Sequence, residues 1–366
     1  MADSRVLRVA VIGAGHMGRH HARVYSEIPD CELVAVVDKD LDRARQIAKQ
    51  FGGKPAARFS DITGGCDAVS VAVPTVYHAE VAIPLLEHGI AVLVEKPMAP
   101  DALSARQLLE ASQRAKALLQ VGHSERFNPV VQALLRMQVR PRFIETQRIS
   151  PFTFRSADIG VVFDMMIHDI DIVLHLVAQQ SSSGTPPSQN ASRTLPTRPD
   201  YIIDAVGVNV LGQHEDVANA RIRFADGAVV NLTASRLALK TERKIRVFCP
   251  TAYLSMDYQK KTGIAIKLQD NVDLIRLARE RDFEDLSQMA SLDFGSMLKI
   301  EPLTVENVEP LRAEIESFLC AARTGSSGGV SAEDGFAAVE LAERITQAVR
   351  AYDWGADIAP LAQSDP

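Results

Sequence analysis

The chain has 366 residues, which is too long for one typical hydrophobic core, so we expect two domains. Hydrophobic residues make up 46% and charged residues 23%, the composition of an ordinary globular protein. The formal net charge of −6, without a block of basic residues, argues against nucleic acid as a partner.

The sequence gives no sign of export, of a membrane anchor or of a metal site. Its first residues, MADSRVLRVAVIGAG, pass from a few polar positions directly into a strand pattern, and no apolar run is long enough to span a bilayer. The four cysteines are far apart and form no C-x-x-C pair: Cys31, Cys66, Cys249 and Cys320. We therefore expect a cytoplasmic protein with reduced thiols and without a bound metal.

From Arg5 to His123 the hydrophobic pattern alternates between strands and helices. Five apolar runs predict buried strands, namely LRVAVIG, LVAVVD, DAVSVAVP, AVLVEKP and LLQVGH. Helical spacing lies between them, over residues 16–28, 41–51, 76–88 and 102–116. This alternation predicts an α/β domain at residues 1–124, with a doubly wound parallel sheet of the Rossmann type that binds ligands outside the carboxyl ends of its strands.

A glycine-rich turn follows the first predicted strand and opens the first predicted helix. It reads Gly13-Ala14-Gly15-His16-Met17-Gly18, and Asp38 comes twenty residues later at the end of the second strand. In this setting Gly13 permits the tight turn, Gly15 lets the backbone approach a pyrophosphate, and Gly18 lets helix and strand pack closely. The turn, including His16 and Met17, would bind the phosphates at the helix N-terminus. A glycine turn without a ligand is the alternative.

The cofactor type depends on Asp38. Its carboxylate can accept hydrogen bonds from both ribose hydroxyls and would repel a 2′-phosphate, so the pattern predicts NAD in preference to NADP. Lys39, directly after it, weakens that preference slightly.

Charged residues end the predicted strand AVLVEKP. Glu95 and Lys96 lie at its carboxyl end, on the side of the cofactor, and Pro97 biases Lys96 away from helical backbone. The position favours a functional role for both charged residues. A surface Lys-Pro turn is the alternative.

After His123 the period of the pattern changes. Strand-like runs occur at 143–150, 201–211, 217–224, 228–235, 244–249 and 252–258, with a hairpin signal at Ala225-Asp226-Gly227-Ala228. They predict a C-terminal α+β domain at residues 125–366, with a mostly antiparallel sheet and two closing helices at 309–323 and 331–352. Residues 179–200 contain almost no large apolar residues and predict a mobile insertion. Because the outer face of such a sheet usually needs cover, we expect a homo-dimer or homo-tetramer.

One helix of this second part carries candidate chemistry. Residues 160–177, GVVFDMMIHDIDIVLHLV, are mostly apolar, yet Asp164 and His168 stand four apart on one face and Asp171 lies three beyond. Burying a carboxylate and an imidazole costs free energy unless they are paired or used. We therefore predict that His168 is a general base and that Asp164 holds its tautomer. An Asp–His pair that is satisfied within the core, or a metal site that adds His175, are the alternatives.

The order of these features resembles a known enzyme family. A G-x-G-x-x-G start, an EKP strand end and a D-x-x-x-H helix resemble the glucose–fructose oxidoreductase, inositol dehydrogenase and MocA family over nearly the whole chain, apart from the insertion. The resemblance implies that Lys96 is the catalytic lysine, and that Asp164 and His168 form the substrate-binding and proton-transfer pair. It also implies that a segment of VAVPTVYH runs past the nicotinamide ribose, with Pro74, Thr75 and His78 at the cofactor.

Two further stretches resemble one branch of that family. GHSERFNP and RISPFTFRSADIGVVFDMMIHDID are similar to the UDP-N-acetylglucosamine 3-dehydrogenases, which prepare a 3-keto sugar nucleotide in lipid A biosynthesis. The candidate substrate-binding residues are then His123, Arg126, Asn128, Arg148, Arg155, Asp164 and His168. Guanidinium groups suit phosphate oxygens, so the three arginines could hold a diphosphate. Ordinary surface or interdomain ion pairs are the alternative for them.

The sequence thus predicts an NAD-dependent dehydrogenase that oxidises a sugar hydroxyl, with a sugar nucleotide as its small-molecule substrate. His168 would take the hydroxyl proton while Lys96 stabilises the developing alkoxide. A dehydrogenase of a free sugar, inositol or a dihydrodiol is an alternative. A regulator that binds NAD and a sugar without turnover is an alternative of another class, although such a sensor would not need Lys96, Asp164 and His168 together.

Overall fold

A computed structural model describes residues 6–62, 64–153, 159–181, 201–211, 213–268, 298–326 and 328–354. Arg155 and residues 182–200 of the predicted insertion lie outside the described residues. Among the residues it does describe, no helix combines the length and apolar character needed to cross a membrane.

Small and β-branched residues build the first sheet, whose strands are buried on both faces. In chain order its strands are β1 (Leu7–Ile12), β2 (Cys31–Val37), β3 (Lys54–Ala56), β4 (Ala68–Val71), β5 (Ala91–Glu95) and β6 (Leu119–Gly122). All of them run parallel, in the order β3-β2-β1-β4-β5-β6. The predicted doubly wound parallel sheet is therefore confirmed, and its strand order reverses between β1 and β4, where such sheets bind ligands.

Four helices connect these strands close to the predicted bounds. They are α1 (His16–Glu27), α2 (Leu41–Phe51), α3 (His78–Glu87) and α4 (Ala102–Ala115). Asp40 caps α2 and Asp101 caps α4 with their carboxylates, whereas α1 starts at Gly15 without a side-chain cap. The first backbone N–H groups of α1 are thus left for another acceptor.

The second sheet is larger and mostly antiparallel, as predicted. Its strands are β7 (Phe143–Ile149), β8 (Tyr201–Val208), β9 (Val217–Phe224), β10 (Val229–Ser235), β11 (Glu242–Phe248), β12 (Ala252–Asp257), β13 (Thr262–Leu268) and β14 (Leu298–Pro302). They lie in the order β14-β13-β12-β11-β7-β10-β9-β8, and only β7 and β10 pair in parallel among these strands. Strands β3, β13 and β14 were not predicted.

Within the described residues, four helices follow β6 in the chain. They are α5 (Pro129–Arg136), α6 (Ile167–Ser181), α7 (Pro310–Thr324) and α8 (Ala332–Ala351), and α5 was not predicted. Helices α6 and α8 pack over one face of the sheet, and α8 also contacts α4 and β6 of the first domain. Helix α8 therefore ties the two domains together.

The opposite face of the second sheet carries no helix of the described chain, and its side chains are mixed in character. Polar pairs cross it, including Arg246 to Glu145 at 2.8 Å. Three rings cluster beside them, with Phe248 5.5 Å from Phe143 and 4.9 Å from Tyr253 between centroids. This open face thus carries both ion pairs and an aromatic cluster.

Candidate active site

The glycine-rich turn has the geometry that the sequence requires. Gly13 has a φ of +99°, and a side chain there would meet the Ala72 carbonyl oxygen at 2.5 Å. A Cβ on Gly18 would lie 1.7 Å from the Gly13 carbonyl oxygen, so only glycine permits this close packing of helix on turn. A Cβ on Gly15 would meet no atom within 4 Å, which leaves the space in front of α1 open for a ligand.

Asp38 lies against this turn. Its carboxylate accepts hydrogen bonds from the backbone N–H of Ala14 at 2.7 Å and of Asp40 at 2.8 Å. A negative charge is thus held beside the open space, in the position suited to a ribose. Three neighbouring features together fit a dinucleotide, namely the glycine-rich turn, the uncapped start of α1 with His16 and Met17, and Asp38.

Glu95 anchors the carboxyl end of β5 through a buried hydrogen-bond chain. Its Oε1 lies 2.8 Å from Nε2 of His21, whose Nδ1 lies 2.9 Å from the Ser70 hydroxyl, and that hydroxyl lies 2.7 Å from the Tyr25 hydroxyl. Burial opposes ionisation of Glu95, but His21 and Lys96 hold the pKa of its carboxyl below the ordinary value. Because the other carboxylate oxygen accepts the backbone N–H of Lys96 at 3.2 Å, this chain fixes the backbone of the lysine.

His78 joins the β4 turn to the segment after Lys96. Its Nε2 lies 3.0 Å from the Val73 carbonyl oxygen, and its Nδ1 lies 3.1 Å from that of Pro97. The ring is buried, and burial lowers its pKa. His78 thus links the turn that carries Pro74 and Thr75 to the segment after Lys96; Pro74 is exposed and Thr75 is partly exposed.

Asp164 pairs with Lys96 and not with His168, which corrects the prediction. The Lys96 amine donates to the Asp164 carbonyl oxygen at 2.8 Å and lies 3.5 Å from its carboxylate. Nδ1 of His168 is buried and has no hydrogen-bond partner among the described residues. The cation of Lys96 competes for the carboxylate, because an opposite charge attracts it more strongly than a neutral imidazole does.

A π turn places this pair. The predicted helix over 160–177 begins with a π turn at Val162–Met166 before α6 continues at Ile167. The Ile167 N–H donates to the Val162 carbonyl, five residues back, instead of the α-helical four. Such wider turns occur often at functional sites, and here Asp164 lies within one.

His168 is held neutral by its surroundings. Burial lowers the pKa of the imidazole well below its ordinary value, and the charges of Lys96 and Arg148 lower it further. At neutral pH the ring therefore lacks a proton on one nitrogen. Since Nδ1 is buried, Nε2 is the nitrogen that can face a substrate.

Lys96 and His168 line one cleft at the carboxyl edge of the first sheet. The cleft has a volume of about 300 Å³, near the lower limit for ligand pockets. Its other walls come from the second domain and from the turn after β6, and include Ser124, Glu125, Arg148, Ser150, Pro151, Thr153, Asp164, Met165, Arg236 and Arg243. The structure thus brings together Lys96, Asp164, His168 and Arg148 of the predicted site.

The two predicted arginines within the described residues are already paired. Arg126 forms two hydrogen bonds to the Asp171 carboxylate and another to Asp334 at 3.2 Å. Arg148 binds Asp169 through two bonds of 2.9 Å and Glu125 through one of 3.1 Å. Both side chains are buried, and all of their carboxylate partners lie within residues 125–366. Buried ion pairs inside the predicted second domain, neither surface nor interdomain pairs, therefore describe their contacts in this structure.

His123 and Asn128 lie behind the cleft, outside its lining. The His123 ring is fully buried, 6.3 Å from the His168 ring between centroids. Asn128 caps α5 by accepting the Val130 N–H at 3.2 Å, and its amide donates to the Tyr258 carbonyl at 3.1 Å. These contacts give both residues a supporting position around the cleft.

The described residues contain no group of three or more His, Cys, Asp or Glu side chains arranged to hold a metal. His175, the third ligand of the metal alternative, lies with Nδ1 2.9 Å from the Arg126 guanidinium. Asp164, His168 and His175 therefore do not converge on one point.

Sequence reasoning missed several residues of the site. His21 lies on α1 between His20 and Ala22, where a histidine gives no signal of a long-range bond to Glu95. Arg236 and Arg243 come from β-rich sequence far from the recognised motifs, and only the fold brings them to the cleft. The alternation of β11 is a sequence signal for Arg243, since it places this arginine on the same face as Ile245 and Val247.

A turn that suits a dinucleotide and a cleft that holds a neutral base beside an amine lie at the same edge of one sheet. Hydride transfer needs a cofactor and a substrate side by side, so the fold and the cleft define an NAD-binding oxidoreductase. Residues 7–123 match the model of an oxidoreductase family with an NAD-binding Rossmann fold, and residues 131–255 match the GFO/IDH/MocA C-terminal domain. The chain belongs to the Gfo/Idh/MocA oxidoreductase family, as its motifs indicated, and NAD as the cofactor is confirmed at the level of that family.

Relatives with assigned activities are sugar and polyol dehydrogenases. The chain is 33% identical to UDP-N-acetylglucosamine 3-dehydrogenase of Acidithiobacillus ferrooxidans over 257 residues. This alignment covers 70% of this chain and 75% of the relative. It is 26% identical over 354 residues to inositol 2-dehydrogenase of Rhizobium meliloti, over 94% of this chain and 97% of the relative. A solved structure of the Acidithiobacillus enzyme superposes with a TM-score of 0.79 at 28% identity, covering 94% of this chain and 98% of that one.

Proposed function

We propose that the protein oxidises a hydroxyl of a UDP-sugar with NAD, in the manner of a UDP-N-acetylglucosamine 3-dehydrogenase. The observation that carries the proposal is the cleft in which the Lys96 amine and the neutral His168 imidazole meet at the carboxyl edge of the NAD-binding sheet. The choice of a UDP-sugar is supported by the similarity to the Acidithiobacillus enzyme.

Oxidation of a hydroxyl to a ketone releases a hydride from carbon and a proton from oxygen. When NAD is bound, its nicotinamide supplies the hydride acceptor. His168 accepts the proton at Nε2, because its lowered pKa leaves the imidazole neutral at neutral pH. The charges of Arg148 and Lys96 help to lower the pKa of His168. The imidazole therefore releases the accepted proton and is neutral again for the next turnover.

Lys96 stabilises the oxygen as negative charge develops on it. An ammonium held in a fixed position favours the alkoxide-like transition state more than the neutral hydroxyl. Asp164 positions that amine through its carbonyl and carboxylate oxygens, at 2.8 and 3.5 Å. Glu95 and His21 fix the lysine backbone from the other side.

The cofactor would be held by the glycine-rich turn and Asp38. The phosphates would lie at the N-terminus of α1 near Gly15, and the Asp38 carboxylate would face a ribose and disfavour NADP. Pro74, Thr75 and His78 would border the nicotinamide side of the crevice, since the turn after β4 and the Lys96 segment are joined through His78.

We further propose that the protein acts as a homo-dimer or homo-tetramer in the cytoplasm. The open face of the second sheet, with the rings of Phe143, Phe248 and Tyr253, supports self-association. All four cysteines are free, which agrees with a reducing compartment.

A substrate screen with the purified protein tests the proposed function. The protein is incubated with NAD and, in separate reactions, UDP-N-acetylglucosamine, N-acetylglucosamine, myo-inositol and glucose, while the absorbance of reduced cofactor is followed. We expect turnover with the UDP-sugar and a much lower kcat/KM with N-acetylglucosamine. Equal kcat/KM for the two, or turnover of inositol alone, would contradict the proposal.

The His168→Asn variant is the control for this screen. It removes the base while keeping a polar side chain of similar reach, so activity should fall by roughly 10²-fold or more with the best substrate. Activity that persists in this variant would be assigned to a contaminant or to another base.

A further inference from the structure

Arg243 breaks the burial pattern of the second sheet. On β11 it shares the helix-covered face with Ile245 and Val247, which are fully buried. Its cross-strand neighbour on that face, Arg148, is also buried. The Arg243 side chain nevertheless remains 45% exposed, because the cleft opens at this end of the strand.

Within the described parts of the chain, the Arg243 guanidinium has fewer partners than the other cleft arginines. Arg148 forms three hydrogen bonds to two carboxylates, and Arg236 donates to Asp216 and to the Ile159 carbonyl. Among the described residues, the guanidinium of Arg243 makes no hydrogen bond, and its nearest carboxylate oxygen, on Glu125, lies 3.8 Å away. That same carboxylate is engaged by Arg148 at 3.1 Å.

This arrangement leaves a cation with spare donors in the wall of the cleft. Two guanidiniums face each other across neighbouring strands, which destabilises a sheet unless anions separate them. One carboxylate, that of Glu125, is shared between them. An additional anion beside Arg243 would relieve the repulsion and use its free N–H groups.

We infer that Arg243 binds the phosphate nearest the sugar of a nucleotide-sugar substrate, and so sets the preference of the cleft for a phosphorylated sugar. The inference rests on the proposed function and names the residue that recognises its substrate class. The cleft volume of about 300 Å³ suits a sugar ring near Lys96 and His168, with the nucleotide toward the exposed side where Arg243 lies. A planar guanidinium with unengaged donors matches phosphate oxygens in charge and in geometry.

The test compares Arg243→Gln with Arg243→Lys and with a control on the same strand. Arg246→Gln is the control, because Arg246 lies on the opposite face and pairs with Glu145 at 2.8 Å. For each protein we measure KM and kcat for UDP-N-acetylglucosamine, the Kd of UDP by calorimetry, NAD affinity and Tm.

Arg243→Gln should raise KM for the UDP-sugar and the Kd of UDP by about 10- to 100-fold, the effect of one charge-assisted hydrogen bond, with kcat changed by less than about 3-fold. Arg243→Lys should retain part of the affinity, since lysine keeps the positive charge but lacks the planar pair of donors that binds two phosphate oxygens at once. Arg246→Gln should leave both constants unchanged, and NAD affinity should be equal in all proteins. The Tm of Arg243→Gln should equal or exceed that of the wild type, because the variant removes the repulsion between Arg243 and Arg148.

The outcomes separate this inference from the proposed function. If the wild type turns over the UDP-sugar and Arg243→Gln keeps the same KM and Kd, the inference is wrong and the proposed function stands. If the wild type turns over only a free sugar, the proposed function is wrong. The UDP titration then decides about Arg243. If the wild type binds UDP and Arg243→Gln does not, the inference is still supported; if the wild type does not bind UDP, the inference is overturned.

Discussion

Replacing Lys96 with methionine should separate catalysis from folding. The Lys96 side chain is 22% exposed and the Asp164 side chain 28%, and the amine nitrogen lies 3.5 Å from the carboxylate. A partly exposed pair of this kind contributes at most about 1 kcal/mol to folding, so we expect Tm to fall by less than about 4 °C. Loss of a positioned charge at a reacting oxygen should instead lower kcat by roughly 10²-fold, equivalent to about 2.7 kcal/mol of transition-state stabilisation.

The same variant should change the pH dependence of the reaction. After burial, the charge of Lys96 is the largest influence that lowers the pKa of His168. Without it that pKa rises toward its ordinary value, so a larger fraction of the imidazole is protonated at mildly acidic pH and unable to accept a proton. The acidic limb of kcat/KM should therefore move to higher pH in Lys96→Met.

The assay measures kcat/KM from reduced-cofactor absorbance across the pH range in which the protein stays folded, with NAD affinity and Tm measured alongside. Lys49→Met is the matched control, because Lys49 is exposed on α2, outside the cleft lining. A folded Lys96→Met protein that turns over at the original rate would refute the role of the amine. An acidic limb that moves to lower pH would refute the electrostatic coupling of Lys96 to His168.

Four further variants test the cofactor turn and the buried ion pairs. Asp38→Ser combined with Lys39→Arg should shift the ratio of NAD to NADP affinity toward NADP by direct titration, and a wild type that binds both equally would contradict the reading of Asp38. Gly15→Ala should leave Tm unchanged and weaken NAD binding, because its Cβ enters the open space predicted for the cofactor. Gly18→Ala should instead lower Tm, because its Cβ would lie 1.7 Å from a carbonyl oxygen. Equal Tm and equal NAD affinity in the two variants would contradict this expectation. Arg126→Met should cost about 3–5 kcal/mol of unfolding free energy in denaturant titration, because it leaves a buried carboxylate without its cation, and a raised KM at unchanged stability would show substrate binding instead.

Local pattern predicted the first domain well and the second less completely. The glycine turn and the parallel strands follow from short-range rules, because each strand is a short apolar run and each glycine has a steric reason. Strands β13 and β14 lie at the edge of the second sheet, where alternation is weaker and pairing is decided by contacts distant in sequence. Helix α5 was not predicted, although Pro129 in its first turn and Asn128 before it are a helix-start signal in the sequence.

The partners of the site residues were less predictable than the residues themselves. The four-residue spacing of Asp164 and His168 placed them on one helix face. It carried no information about Lys96, which comes from the other domain and forms an ion pair with the Asp164 carboxylate. The arginines were recognised by type, whereas their carboxylate partners lie 21 and 45 residues away in sequence. Charge pairing across such separations depends on the assembled fold, so sequence alone left both interpretations open.

The hydrogen bond from Lys96 to the Asp164 carbonyl joins the two parts of the chain that line the cleft. In the proposed mechanism the amine belongs to the sheet of the NAD-binding domain, whereas the proton acceptor, His168, lies on α6 in the second part of the chain. A lineage could therefore remodel strand β11 and its neighbours, and with them the accepted substrate, without disturbing the half that holds the cofactor and the lysine. Substrate diversity within one family, from inositol to sugar nucleotides, is what such a division of labour permits.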